Sequence, residues 1–83
     1  MRYAVYILEC ADLSLYTGCT NDLERRLKEH NGSKRGARYT KTRRPVVLRH
    51  TELFPTFGAA RKREAAIKRM TREEKLELIV SGI

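Results

Sequence analysis

The chain has no tryptophan, only two cysteines and two prolines, and no apolar run long enough to cross a bilayer. Each shortage removes a class of protein. Two cysteines, Cys10 and Cys19, cannot staple a small secreted scaffold and lack metal-ligand spacing. They are read as small buried thiols in a reduced cytoplasm. The first apolar run, Tyr3 to Leu8, leads into Glu9 without a cleavage-type sequence and falls far below the ~20 residues a membrane helix needs. Repeats, linkers and low-complexity tracts are missing too, so residues 1–83 are read as one domain. A chain this short buries only ~60% of its unfolded surface, and its core must be economical.

Acidic residues are scarce. Ten Asp plus Glu stand against eighteen Lys plus Arg, giving +8 and a pI near 10.0. Such a balance draws polyanions, because each neutralised phosphate releases condensed counterions. An anionic membrane surface would require a broad apolar helix face opposite the basic one. The most basic stretch has no such face, so nucleic acid is the expected partner, and no membrane.

What is present reads as a short α+β chain. Arg2 to Cys10, apolar on both faces and rich in β-branched and aromatic types, suits a buried central strand. Ala11 to Ser14 interrupts it, and Leu15 to Cys19 resumes strand character, so the two form a β-hairpin. Asp22 to His30 carries Leu23 and Leu27 one helical turn apart, with Thr20 or Asn21 as cap and Asp22 and Glu24 in the first turn. Residues 34 to 44 hold six basic and no acidic side chains without apolar periodicity, which predicts an exposed loop. Pro45 opens a third strand running to about Phe54, at an edge position where a missing N–H is tolerated, and Pro55 stands at the start of the next helix. A helix capped by Thr56 follows to about Met70. Thr71 and Glu74 then form a capping box ahead of Leu76, Ile79, Val80 and Ile83, spaced as one packed face. The order β-β-α-β-α-α predicts a three-stranded antiparallel sheet flanked by helices.

Three features do not suit a purely structural role. Leu23, Arg26, Leu27 and His30 share one side of their helix, so two polar side chains line the stripe facing the sheet. In the later helix, Phe57, Ala60, Glu64 and Ile67 share a stripe, which puts the helix's one carboxylate among apolar residues. A buried carboxylate needs a partner or a metal. Arg61 and Lys68, at i−3 and i+4, would supply an ordinary ion pair. Tyr6 and Tyr16 lie one on each hairpin strand. A three-residue loop at Asp12 to Ser14, pairing residue 11 with 15, would put both phenols on one face, and a four-residue loop would split them unless a bulge intervened. Phosphodiester hydrolysis needs a metal to polarise phosphate, a base for water, and cations near developing charge. Glu64, a tyrosine, Arg26 and His30 could meet those needs.

The motifs, taken in order, resemble the GIY-YIG nuclease superfamily, and in particular its short stand-alone bacterial members. Ala4-Val5-Tyr6 resembles the first signature strand and Tyr16-Thr17-Gly18 the second. Thr20 to His30 resembles the arginine-then-histidine helix, and Lys62-Arg63-Glu64 the segment with the metal-binding glutamate. The resemblance covers essentially the whole chain. It implies a divalent-metal-dependent endonuclease acting on DNA rather than RNA, structure- or damage-directed, working as a monomer without a small-molecule cofactor. Tyr6 and Tyr16 would surround the attacking water and phosphate, one as general base. Arg26 would hold the scissile phosphate, His30 would hydrogen-bond within the site, and Glu64 would ligate one Mg²⁺ or Mn²⁺. Gly18 would allow close packing near the site. Lys34, Arg35, Arg38, Lys41, Arg43 and Arg44, together with Arg61 and Arg63, would hold the nucleic-acid backbone. Ala4 and Thr17 replace signature residues, and Cys19 stands where some members carry a lysine. The asparagine that many members use late in the domain has no counterpart after Asn31, so a binding module without turnover is the alternative expectation.

Overall fold

A computed structural model describes residues 2–32 and 38–81. Strand β1 (Tyr3–Glu9) is the middle of an antiparallel sheet of order β2-β1-β3, with β2 at Leu15–Thr20 and β3 at Val47–Phe54. This is the expected α+β architecture. Ala4 to Leu8 are all buried because β1 has a neighbour on each edge and side chains packed on both faces, as its unbroken apolar run requires.

Alternation along β1 splits the core in two. Val5 and Ile7 pack on Ala60 and Ile67 of helix α3 (Phe57–Lys68). Tyr6, Leu8 and Cys10 point the other way, toward Leu23 and Leu27 of helix α1 (Leu23–Gly32) and toward Val46 and Leu48. Tyr6 pairs with Gly18 and Leu8 with Tyr16, so residues of equal parity share a face and the two phenols stand on the α1 side. The loop behind this register has the expected three residues but lies one residue earlier than Asp12 to Ser14, at Ala11 to Leu13, with Glu9 rather than Ala11 opposite Leu15. The Cys10 N–H donates to the Ser14 carbonyl at 2.9 Å, and Leu13 takes the left-handed conformation at φ 70 that closes such a loop.

Local chemistry sets the helix starts. The cap of α1 is Asp22, which the sequence placed inside the first turn: its Oδ1 accepts from the Arg25 N–H at 3.1 Å, while Thr20 Oγ1 accepts from the Asp22 N–H. Thr56 caps α3 through the Ala59 N–H at 3.2 Å. Thr71 and Glu74 form the reciprocal capping box ahead of α4 (Arg72–Ser81).

Two expectations need correction. The stripe of α4 is not a packed face, since Leu78 and Ile79 meet the core whereas Val80 is 84% exposed. The helix lies along the margin near β3, where only a narrow strip of it finds neighbours, and Ile83 lies outside the described residues. The basic stretch is not wholly an exposed loop either. It contains a one-turn helix, α2 (Arg38–Lys41), whose Thr40 is fully buried. Beyond it the chain passes a cis Arg44–Pro45 peptide and enters β3 at Val47. Asn31 fastens that entry to α1, its side chain accepting from the Val46 N–H at 2.7 Å and donating to the Val46 carbonyl at 3.0 Å.

Candidate active site

Tyr6 is 1% exposed and lies flat across β2. A Cβ at position 18 would stand 2.3 Å from its oxygen, so glycine is required there by the phenol itself. On the α1 face, the phenol oxygen lies 2.9 Å from His30 Nε2, and Arg26 is near enough to act on its titration. Tyr16, two residues along β2, sets its ring edge-on to His30 with centroids 5.2 Å apart. Four of the residues singled out from the sequence therefore converge. Arg26 and His30 reach the cluster because α1 turns both toward the sheet alongside Leu23 and Leu27, and the paired strands supply the tyrosines.

The electrostatics follow from burial. The Tyr6 phenol is pushed up to about 12, chiefly by loss of solvent and further by Tyr16, with Arg26 working the other way. His30 is pulled down to about 4 by burial and by the Arg26 charge, so its ring is neutral near pH 7. Arg26 also pairs with Glu29 at 2.9 Å across one helical turn.

Glu64 comes from the opposite side of the sheet. It is 7% exposed and lies in the stripe between Ala60 and Ile67, as its spacing predicted. It carries both of the ordinary partners considered for it, Arg61 Nε at 3.5 Å and Lys68 Nζ at 3.1 Å. It is also near enough to add to the upward shift of Tyr6, as the smallest of the causes, and of the half-buried Cys19 thiol, where burial is the larger. α3 packs on the sheet face opposite α1, so the carboxylate and the phenols approach the sheet from opposite sides.

The donor set suits a hard divalent ion. One carboxylate is enough for Mg²⁺ when water and substrate phosphate complete the shell. Among the described residues no group of three His, Cys, Asp or Glu side chains could cage a metal alone.

The basic residues divide. Lys41 and Arg61 are exposed. Arg63 instead holds Glu52 through two bonds of 2.8 and 3.1 Å, in a cluster that includes His50. Arg44 donates to the carbonyls of Glu29 and His30 at the end of α1. Arg43 donates to Asp12 at 3.0 Å and to the Tyr39 carbonyl at 2.8 Å. Lys34 and Arg35 lie outside the described residues, and the side chain of Arg38 with them. Sequence reasoning missed Tyr39 and Thr40. Tyr39 stacks on Tyr16 with centroids 5.7 Å apart, and Thr40 Oγ1 lies 2.8 Å from His30 Nδ1. No periodicity marks either residue, and both lie in a segment whose charge suggested only an exposed loop.

The family model described as the GIY-YIG catalytic domain matches residues 2–77. The chain belongs to the GIY-YIG family. Among its relatives, a UPF0213 protein of Syntrophus aciditrophicus is 59% identical over 75 residues, covering 90% of this chain and 86% of that protein. One of Haloquadratum walsbyi is 55% identical over 78 residues, covering 94% and 86%. Among solved structures, a UPF0213 protein of Bacillus halodurans, determined by solution NMR, superposes with a TM-score of 0.64 at 43% identity, covering 99% of this chain and 86% of that one. Within the matched span, Tyr6 lies in β1, Tyr16 in β2 and Glu64 in α3. No helix among its described residues is long and apolar enough to cross a membrane.

Proposed function

We propose that this GIY-YIG protein is a divalent-metal-dependent endonuclease that hydrolyses phosphodiester bonds in DNA, directed by structure or damage rather than by base sequence. One observation carries the reading: two phenols and an imidazole are packed together on the α1 face of the sheet, and Arg26 and the carboxylate kept in the α3 stripe are both near enough to act on Tyr6. Arg26 holds the scissile phosphate, for which its planar fork is suited. One phenol accepts a proton from the attacking water. Tyr6 at about 12 keeps its proton in the free protein, so base strength must come from the loaded site, where phosphate-bound cations and Arg26 favour phenolate. Neutral His30 orients Tyr6. Glu64 would hold a single Mg²⁺ or Mn²⁺, which when bound polarises the phosphate and offsets its developing charge.

Lys41, Arg61 and the basic residues around α2 hold the DNA backbone. Phosphate contacts carry no sequence information, which is why direction by structure or damage is favoured. The chain acts as a monomer in the cytoplasm.

The test is cleavage of branched, nicked and single-stranded DNAs with Mg²⁺ or Mn²⁺. Glu64→Ala and Arg26→Ala are expected to abolish it, and unchanged activity in both would sink the assignment. A second reading, a nucleic-acid-binding module without turnover, is favoured by the two cations on the Glu64 oxygens. It predicts salt-sensitive binding and no cleavage in either metal.

A further inference from the structure

We infer that α2 is the positioning element for both phenols: Thr40 fixes the His30 ring with its proton on Nδ1, so that Nε2 accepts from the Tyr6 hydroxyl, and Tyr39 buttresses Tyr16 by stacking. The orientation follows from the structure alone, and its consequence for turnover rests on the nuclease reading above.

The hydrogen-bond chain runs Tyr6–His30–Thr40. Arg26, near enough to act on the phenol, carries donors and no acceptor. The phenol proton therefore needs an acceptor, and Tyr6 is 1% exposed. The acceptor within hydrogen-bond distance is His30 Nε2, at 2.9 Å. A neutral imidazole has one N–H, so when Nε2 accepts, Nδ1 donates, and Thr40 Oγ1 stands 2.8 Å from it. His30 and Thr40 are both 0% exposed, so water does not compete for either nitrogen. The opposite tautomer would leave the buried phenol proton without this acceptor.

The second support is the adjacent residue. Tyr39 lies 29° from parallel to Tyr16, and Arg43 Cζ sits 4.0 Å from the Tyr39 ring centroid. Arg43 is itself held by Asp12 and by the Tyr39 carbonyl, and the Ala11 N–H donates to the Arg43 carbonyl at 2.9 Å. The hairpin loop thus anchors the far end of α2, while consecutive residues of that helix grip His30 and Tyr16. Tyr39 and Thr40 touch no reacting atom. They are positioning residues.

The experiment is ¹⁵N NMR of the His30 ring in the free protein, for the wild type, Thr40→Ser and Thr40→Val. The expected result is a pyrrole-type Nδ1 and a pyridine-type Nε2 in the wild type and Thr40→Ser, and a shift toward mixed tautomers in Thr40→Val. A wild-type ring protonated on Nε2 overturns the inference even if Thr40→Val fails to fold, and so does a Thr40→Val ring that keeps the wild-type pattern. Tyr16 ring protons are expected to be shifted by stacking in the wild type and Tyr39→Phe, and to lose that shift in Tyr39→Ala. Retention of the shift there overturns the second support. In the cleavage assay, Thr40→Val and Tyr39→Ala should lower kcat by ~10–100-fold with little change in KM, the size typical of groups that orient an active side chain, and Thr40→Ser and Tyr39→Phe should restore it. Normal kcat in a variant whose ring has changed overturns the catalytic consequence. Absence of cleavage in the wild type would instead count against the nuclease reading, and the NMR result would still decide the positioning.

Discussion

Gly18→Ala is expected to be among the most damaging single-methyl changes in this chain. The backbone at position 18 lies outside the left-handed region, so alanine is conformationally permitted, and the cost comes from contact alone. The new Cβ would stand 2.3 Å from the Tyr6 oxygen, 2.5 Å from Cζ and 3.0 Å from Cε2, against an ordinary carbon contact of about 3.5–4.0 Å. The ring would have to retreat by about an ångström from a place where it is 1% exposed and hydrogen-bonded to His30 at 2.9 Å. Overpacking of this kind costs about 1–3 kcal/mol, and losing the hydrogen bond adds about 1 kcal/mol, for a sum of about 2–4 kcal/mol. The stability of an 83-residue domain is only about 4–12 kcal/mol. In urea, with a slope slightly above 1 kcal/mol/M, the midpoint should fall by at least about 1.5 M. The control is the same substitution in a Tyr6→Leu background, where no ring crosses position 18. There alanine should be close to neutral, because it removes backbone freedom from the unfolded chain without a clash. An unchanged midpoint for Gly18→Ala, or equal losses in the two backgrounds, would refute the assignment of the glycine to the phenol.

The remaining predictions concern charge. His30 has a folded value of about 4 against 6.5 unfolded, so only the unfolded chain gains its proton as pH falls. Its contribution to stability is complete above pH 6.5 and declines between 6.5 and 4, by at most about 1.4 kcal/mol per pH unit. His30→Gln should flatten that part of the urea-midpoint profile, and an identical slope in the variant would contradict the burial argument. Lys68→Met removes an ammonium 3.1 Å from Glu64 and should raise the affinity of Mn²⁺ for the free protein. Because Lys68 is about half exposed, the gain should not exceed about 1 kcal/mol, or roughly fivefold, in a titration followed by chemical shift. No gain, with shifts remote from residue 64, would place any bound ion elsewhere. Arg63→Ala should reduce stability by about 1–3 kcal/mol, because it leaves the partly buried Glu52 without its two-pronged partner. It should barely change the salt slope of DNA binding. A slope reduced by about one unit, with normal stability, would show that Arg63 contacts phosphate instead.

Much of this protein was legible in one dimension because the relevant signals are periodic or local. The unbroken apolar run from Tyr3 to Leu8 specified a strand buried on both faces, since nothing else accommodates apolar side chains at every position. Spacings of three and four put Arg26 and His30 on a core-facing stripe and Glu64 in the middle of another, because helical geometry assigns faces without reference to the rest of the chain. The Thr56 and Thr71–Glu74 caps were readable because a cap bonds residues two or three apart. Only tertiary structure decided how those faces met. The loop register that put Tyr6 and Tyr16 on one side depends on which residues of the turn adopt which conformation, and several choices satisfied the same sequence. Only the folded chain showed that Glu64 is buried in its stripe and takes both helical neighbours, Arg61 and Lys68, as partners. Arg43, Arg44 and Arg63 read as surface charge because sequence carries no record of a distant acceptor. Tyr39 and Thr40, in a segment that looked like solvent-exposed loop, acquire their roles only because the chain folds back over α1, and contacts between residues ten or more apart leave no mark in local pattern.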